Sequence, residues 1–268
     1  MGAVQRCAAI SGGSAILVAW KGRGSMSFII TMYVREGIVM AADSRLTLNQ
    51  KRTPDATTVV NLSVAQSDSN YKLFVSPCGI GISTYGDADI KGVPIAGYVD
   101  SFIRTELAQA PASVEDAARK LALHFGSFDP APATQFHVAG YSAQDGGEAA
   151  QEVWHVDVAS GCVNRLNVVG TQGASWGGEA DILGRLIQRV AQLDQDDQVQ
   201  QVLPYFQIPW EFFTLQDAID FAVFAVQSTI DAIRFQPRAK TVGGPIDVLV
   251  VRPGDATWIQ RKELHVGR

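Results

Sequence analysis

Hydrophobic and polar positions change their period several times along the chain, and each change predicts a secondary-structure element. Residues 27–42 (SFIITMYVREGIVMAA) contain two apolar runs separated by Arg35-Glu36-Gly37, which predicts a β-hairpin. Further strands are predicted at 57–64, in two runs within 72–84, and at 135–142, 152–158, 162–169, 246–251 and 257–264.

Four other stretches show apolar residues spaced three or four apart, as in amphipathic helices. They are residues 86–109, 113–125, 179–193 and 214–234. Ser113 and Thr214 each precede an aspartate by three positions, as helix N-caps do, and Pro237 ends the last helix. The order of strands and helix pairs is not strict βαβα alternation. We therefore expect two sheets, each covered by a pair of helices.

Composition narrows the class of protein. Of the 268 residues, 47% are hydrophobic and 18% are charged, which excludes a disordered or fibrous chain. The formal net charge is −5 and no basic cluster suits nucleic acid, while no apolar run is long enough to predict a membrane span. The three cysteines, the four histidines and the acidic run 194–197 lack disulfide or metal-ligand spacing. We expect a cytoplasmic protein that uses no metal or cofactor and binds neither nucleic acid nor membrane.

Residues 1–26 form an N-terminal extension ahead of the domain predicted at 27–268. The apolar stretch 7–20 admits three interpretations: a signal peptide, a start codon placed too early with Met26 as the true start, or a pro-segment that masks Ser27. A signal peptide is disfavoured because Lys21-Gly22-Arg23-Gly24 follows and no A-x-A cleavage site ends the stretch.

The strand that ends in Asp43-Ser44-Arg45 (GIVMAADSRLT, residues 37–47) resembles the first hairpin of proteasome β-subunits and of the bacterial HslV-like and Anbu-like peptidases. The Anbu-like branch is the most similar. In this family the catalytic Thr or Ser is the first residue of the mature chain, sixteen residues before the aspartate, and that offset gives Ser27 here. The resemblance assigns the catalytic lysine to Lys72 and, fourteen residues later, the oxyanion glycine to Gly86.

Two later turns also resemble the family. Residues 169–173 (VGTQG) resemble the glycine–serine turn, with Thr171 in the place of the serine, and residues 242–247 (VGGPID) resemble the turn before the last core strand. The sequence departs from the family in a longer segment between residues 47 and 72. It also departs in Ala239, which replaces an aspartate, and in Met26, which replaces a glycine.

The resemblance implies an α+β fold, a four-layer αββα sandwich of the N-terminal nucleophile hydrolase kind. It also implies a peptidase or other amide hydrolase that assembles into a ring or a helical homo-oligomer. The substrate would be a peptide or an unfolded protein, with an ATP-dependent unfoldase as an optional partner.

The same resemblance gives each site residue a role. Ser27 attacks the amide, and its own α-amine, with an ordinary pKa of about 7.7–8.0, removes the hydroxyl proton. Lys72 lowers the pKa of that amine, and Asp43 holds Lys72 in place. Arg45 completes a charge-balanced cluster with Asp43, although the two side chains also suit a purely structural ion pair. The N–H of Gly86 stabilises the oxyanion.

Substrate contacts are expected from four further residues. Leu46 and Thr47 would lie along the substrate as an edge strand, while Thr84 and Ala88 would line a small uncharged pocket. Two alternatives stay open. One is a non-catalytic shell subunit that keeps residues 1–26, and the other is a small-amide hydrolase of the same superfamily that acts alone.

Overall fold

The computed structural model of the protein describes residues 27–52, 60–109, 111, 113–143 and 149–264. Its strands are β1 (Phe28–Val34), β2 (Gly37–Ala42), β3 (Leu46–Arg52), β4 (Val60–Ser67), β5 (Leu73–Val75), β6 (Gly81–Gly86), β7 (Asp89–Ile90), β8 (Val93–Pro94), β9 (Thr134–Ala143), β10 (Ala149–Asp157), β11 (Cys162–Arg165), β12 (Gly173–Gly178), β13 (Ala191–Leu193), β14 (Val199–Val202), β15 (Asp247–Arg252) and β16 (Asp255–Gln260). Its helices are α1 (Ile95–Glu106), α2 (Val114–Gly126), α3 (Asp181–Ile187) and α4 (Leu215–Phe235).

Two five-stranded antiparallel sheets form the framework. The first sheet has the order β12-β1-β2-β15-β16 and the second has the order β11-β10-β9-β6-β5. The predicted hairpin is β1–β2, which turns at Arg35 and Glu36. This hairpin lies in the middle of the first sheet, so both of its strands are buried along their whole length.

Helices α3 and α4 pack against the first sheet. Their apolar residues share one hydrophobic cluster with Phe28 and Ile30 of β1 and Val248 of β15. Helix α4 begins with a capping box, in which the Thr214 and Asp217 side chains bond each other's backbone N–H groups. The predicted helix 214–234 is therefore confirmed.

Helices α1 and α2 pack against the second sheet. Val99 and Phe102 of α1 and Leu121 and Phe125 of α2 lie in one cluster with Phe136 of β9. The Ser113 hydroxyl accepts the N–H of Asp116, as the sequence predicts for an N-cap.

A third cluster contains residues of both sheets, including Met40 and Leu249 of the first and Leu73 and Val153 of the second. The sheets approach closely at Gly81, where a Cβ atom would lie 2.6 Å from the Met40 sulfur. The described residues thus form a mixed α/β structure with several sheets and four helices. The four-layer order stays a prediction.

The predicted helix 179–193 is wrong in its second half. Helix α3 ends at Ile187, and the following residues form the hairpin β13–β14. The carboxylate of Asp194 accepts the N–H groups of Asp196 and Gln198, and this local turn competes with a continuing helix. The residues at 194–197 lie in an exposed turn.

Other boundaries also differ. Helix α1 begins at Ile95 because the short β7–β8 hairpin, which turns through Gly92 at a φ of 82°, occupies the preceding residues. Strand β11 ends at Arg165, and β12 was not predicted because its three glycines have low strand propensity. Of the predicted strand 57–64, residues 57–59 lie outside the described residues, as does the whole extension 1–26.

No helix in the described part of the chain combines the length and the apolar character needed to cross a membrane.

Candidate active site

Ser27 lies immediately before β1 and only 4% of it is exposed. Its backbone N–H donates to the carbonyl of Thr241 at 3.3 Å, and its own carbonyl accepts the N–H of Glu179 at 2.9 Å. The pairing of Phe28 with Gly178 at the end of β12 brings Glu179 beside it. Ser27 has a φ of 88°, a left-handed conformation that is strained for a residue with a side chain.

Asp43 and Lys72 form a buried ion pair next to this strand start. Asp43 follows β2, whose pairing with β1 places Ala42 opposite Ile29, and Lys72 precedes β5. Lys72 Nζ lies 2.6 Å from Asp43 Oδ1, and the two side chains are 2% and 0% exposed. The aspartate and the lysine to which the resemblance gives roles in the site therefore meet in space.

The Asp43 carboxylate accepts four hydrogen bonds, one from the neighbouring Arg45 and three from other parts of the chain. Its Oδ1 atom accepts the N–H of Phe28 at 3.0 Å as well as Lys72 Nζ. Its Oδ2 atom accepts the N–H of Arg45 at 3.1 Å and the N–H of Gly243 at 2.9 Å. Because Phe28 follows Ser27 directly, the atom that holds the lysine also holds the backbone next to the candidate nucleophile.

Opposing effects act on the Lys72 ammonium. Burial lowers the pKa of Lys72, the ion pair with Asp43 raises it, and the positive charges of Lys262 and Arg45 lower it further. The net direction is downward, because burial is the largest of these effects. Lys72 is therefore easier to deprotonate than an exposed lysine, and the contact with Asp43 opposes that loss.

The expected pairing of the Arg45 side chain with Asp43 is corrected by the structure. The guanidinium instead forms two bonds to Asp68, from Nε at 2.7 Å and from Nη2 at 2.8 Å. Gly243 allows this path, since a Cβ atom there would lie 2.4 Å from Arg45 Cζ. Arg45 therefore reaches Asp43 through its backbone N–H, and its side chain ties β3 to the segment after β4.

Gly86 ends β6 with a φ of 97°, and a Cβ atom there would lie 2.5 Å from the Ala133 carbonyl oxygen. A residue with a side chain does not fit in this position.

The two residues expected to line the substrate pocket lie on either side of Gly86. The N–H of Thr84, on β6, donates to the Lys72 carbonyl at 3.0 Å. Ala88 is buried, and its carbonyl accepts the first N–H of α1. Thr84 therefore lies close to Lys72, and Ala88 lies on the segment that leads from β6 to α1.

Leu46 and Thr47 begin β3, which pairs on one side with β4 and has no strand partner on its other side among the described residues. Thr47 and Thr84 are each 3% exposed. Within the described part of the chain, neither hydroxyl has a hydrogen-bond partner.

Thr171 lies away from Ser27, which corrects its assignment to the site. Strand β12 runs antiparallel to β1, with Gly178 beside Phe28 and Gly173 beside Tyr33 at the far end. Thr171 precedes Gly173, so the strand alone separates it from Ser27 by about 17 Å. Its hydroxyl closes an exposed turn by donating to the Val168 carbonyl at 2.8 Å.

The sequence alone did not identify three residues near Ser27, which are Glu179, Thr241 and Arg238. The Glu179 carboxylate accepts the Thr241 hydroxyl at 2.7 Å and Arg238 Nη1 at 3.0 Å, and it is largely buried. Burial raises the pKa of Glu179, while the bonds from Thr241 and Arg238 oppose that rise. Because Glu179 is about sixty positions from Thr241 and Arg238, no local spacing reveals their contact.

Among the described residues, no group of three or more His, Cys, Asp or Glu side chains is arranged to hold a metal ion.

Comparison with known proteins places the fold in a class. No protein-family model and no curated protein matches the sequence. The structure matches solved structures of bacterial proteasome-like proteins, which confirms the resemblance at the level of the fold.

Three of the solved structures that match are of Anbu. A mutant of Anbu from Hyphomicrobium sp. strain MC1 aligns over 86% of this chain and 84% of its own, with a TM-score of 0.55 and 18% identity. Anbu from Yersinia bercovieri, described as an ancestral β-subunit, aligns over 88% of both chains with a TM-score of 0.53 and 16% identity. A second structure of the Hyphomicrobium protein aligns over 88% of both chains at 0.51 and 16%.

Proposed function

We propose that this protein hydrolyses peptide or other amide bonds, with Ser27 as the nucleophile and first residue of the mature chain. The observation that carries the proposal is the double contact of Asp43 Oδ1, which accepts both Lys72 Nζ and the N–H of Phe28. This contact holds a cation beside the residue that would attack.

The chemistry needs a base for the serine hydroxyl, and the freed α-amine supplies it. The amine takes the proton of Ser27 Oγ, directly or through one water, as Oγ bonds the substrate carbonyl carbon. The amine proton then passes to the leaving amine, and water hydrolyses the acyl-enzyme by the same route in reverse. Lys72 stabilises negative charge on Oγ, and the Gly86 N–H stabilises the oxyanion.

Release of residues 1–26 is part of this proposal. The φ angle of Ser27 exists only while residue 26 is bonded to it, and its value of 88° is strained. Hydrolysis of that bond by water would leave a carboxylate on residue 26, create the α-amine of Ser27 and remove the strain.

The proposed substrate is a peptide or an unfolded protein with a small uncharged side chain at the Thr84–Ala88 pocket. Leu46 and Thr47 would pair with it along the free edge of β3. We further propose the four-layer αββα order, which the three hydrophobic clusters support, and a ring or helical homo-oligomer in the cytoplasm. An unfoldase would serve as its optional partner.

To test this proposal, the full chain is expressed, its intact mass is measured, and its hydrolysis of a set of fluorogenic peptides is assayed. We expect a mass that corresponds to an N-terminus at Ser27, hydrolysis by the wild type, and its loss in Ser27→Ala. Ser27→Thr should retain part of the activity, because it keeps a hydroxyl and an α-amine. An active Ser27→Ala protein would place the chemistry elsewhere. Active protein that retains residues 1–26 would contradict the α-amine mechanism.

A further inference from the structure

Glu179 is connected to both backbone ends of Ser27, directly at the carbonyl and through Thr241 at the N–H. Its own N–H donates to the Ser27 carbonyl at 2.9 Å. Its carboxylate accepts the Thr241 hydroxyl at 2.7 Å, and the carbonyl of the same Thr241 accepts the N–H of Ser27 at 3.3 Å. One acidic residue is thus connected to the donor and to the acceptor of Ser27 by three hydrogen bonds.

The carboxylate is buried at an energetic cost that its partners offset. Only 4% of Glu179 is exposed, and a buried carboxylate is tolerated where hydrogen bonds or a cation compensate its lost hydration. Arg238 supplies the cation, and its second nitrogen, Nη2, bonds Asp181 at 3.2 Å. The two direct partners of the Glu179 carboxylate, Thr241 and Arg238, therefore keep it in one orientation.

We propose that Glu179 is a positioning residue, which fixes the α-amine of Ser27 by holding the Thr241 carbonyl on one side and the Ser27 carbonyl on the other. This inference rests on the proposed function, because the amine exists only in the mature chain.

The physical need arises on release of residue 26. A nitrogen that has lost its peptide bond can rotate about N–Cα, and an amine base acts well only when its lone pair points at the hydroxyl proton. The Thr241 carbonyl accepts one amine hydrogen and thereby sets that rotation. Glu179 keeps Thr241 in place through the bond between its carboxylate and the Thr241 hydroxyl.

The experiment uses the full chain after its N-terminus has been verified by mass. Glu179→Ala should lower kcat about tenfold or more and leave KM within about twofold, because Glu179 contacts the backbone of Ser27 and none of the proposed substrate residues. Thr241→Val should do the same, since it removes the hydroxyl and leaves the carbonyl. Glu179→Gln and Thr241→Ser keep the hydrogen bond and should retain at least about half of kcat.

Asp181→Asn is the matched control. It weakens the other carboxylate partner of Arg238 without touching the contacts of Ser27, so kcat should stay within about twofold. A merely structural role for Glu179 would lower the melting temperature of Glu179→Ala and leave kcat per folded enzyme unchanged, and that result would overturn the proposal. If Ser27→Ala is fully active, the proposed function fails instead.

A second readout requires no substrate. The amide of residue 179 donates to the Ser27 carbonyl, so its hydrogen-exchange rate reports whether Ser27 is held. We expect exchange about tenfold faster in Glu179→Ala and Thr241→Val and unchanged in Asp181→Asn. Equal rates in the wild type and all three variants would contradict the positioning role even if the chain hydrolyses no peptide.

Discussion

Two buried aspartate–lysine pairs lie in the same molecule, and they differ in what else the aspartate holds. Asp43 pairs with Lys72, with side chains 0% and 2% exposed, and Asp247 pairs with Lys262, with side chains 1% and 4% exposed. The charges and the side-chain exposures are nearly the same, although Lys262 as a whole residue is only partly buried. Burial lowers the pKa of both lysines, and in each the aspartate partner opposes it.

The hydrogen bonds of the two carboxylates distinguish the pairs. Asp247 accepts the backbone N–H and the ammonium of one residue, Lys262, and so fastens the segment after β16 to β15. Asp43 accepts the N–H of its near neighbour Arg45 and donors from three other segments, and one of these is the N–H next to Ser27. A buried ion pair alone therefore does not indicate a catalytic site, whereas one that also holds the backbone beside a strained, buried serine supports the proposed one.

The largest effect should come from removing each lysine in turn. Lys72→Met should lower kcat/KM at least about a hundredfold, because the nucleophile loses its nearby cation. Lys262→Met should leave kcat/KM of the folded protein within about threefold. Each variant leaves a buried carboxylate without its cation, so both should lose about 3–5 kcal/mol of unfolding free energy in urea titrations. Equal activity losses would show that the two pairs do the same work.

Replacing the aspartates should give the same contrast as replacing the lysines: the change at Asp43 should lower activity and the change at Asp247 should not. The difference in activity should be smaller than for the lysines. Asp43→Asn keeps the shape and some acceptor capacity, so we expect a loss of about ten- to a hundredfold in kcat, with Lys72 displaced or deprotonated. Asp247→Asn should lower the melting temperature and leave kcat unchanged. Peptidase assays and thermal unfolding on both variants provide the measurement. Wild-type turnover by folded Asp43→Asn would remove Asp43 from the mechanism.

The third expected effect is on the pH dependence of activity, because the charge of Lys262 in one pair acts on Lys72 in the other. Activity should fall on the alkaline side as Lys72 loses its proton, with a midpoint below the ordinary lysine pKa of 10.5 because burial lowers the pKa of Lys72. The positive charge of Lys262 also lowers the pKa of Lys72. Lys262→Met should therefore move the alkaline midpoint to higher pH, whereas Lys120→Met on the surface of α2 should leave it in place. A midpoint that stays or moves down in Lys262→Met would contradict this coupling.

The sign of the stability change follows from the same shifts. Between the lowered folded pKa of each lysine and about 10.5, the unfolded chain binds more protons than the folded chain. Unfolding free energy contributed by these groups therefore rises with pH across that window. Lys262→Met should remove part of the rise in urea titrations.

Much of this architecture is readable from local pattern. The β1–β2 hairpin, α2 and α4 follow from apolar spacing and from caps at Ser113 and Thr214, because these features involve neighbours in sequence. The Asp43–Lys72 contact is predictable only through the resemblance to proteasome β-subunits, which assigns both residues by their offsets along the chain. Periodicity alone does not indicate which loop ends meet.

The remainder depends on contacts that local sequence does not encode. Glu179 and Thr241 are brought together by the pairing of a glycine-rich strand, β12, that has no strand-like composition. Arg45 bonds Asp68 because Gly243 opens a path for its side chain. The β13–β14 hairpin replaces half a predicted helix because a single side chain, Asp194, organises the turn.

The smallest expected effect is at Thr171, and it tests whether geometry or sequence resemblance locates the site. Its hydroxyl is exposed and bonds the Val168 carbonyl, at the end of β12 opposite to the one that meets Ser27. Thr171→Ala should therefore keep kcat and KM within about twofold and cost at most about 1 kcal/mol, the usual value of one exposed hydrogen bond. Thr171→Ser, which keeps the turn bond, serves as the control for that stability loss. The assay is the same peptide hydrolysis as for Asp43→Asn, with unfolding measured in parallel. A tenfold loss of kcat in folded Thr171→Ala would show that the resemblance, and not the register of β12, locates the residues around Ser27. It would also contradict the assignment of that neighbourhood to Glu179.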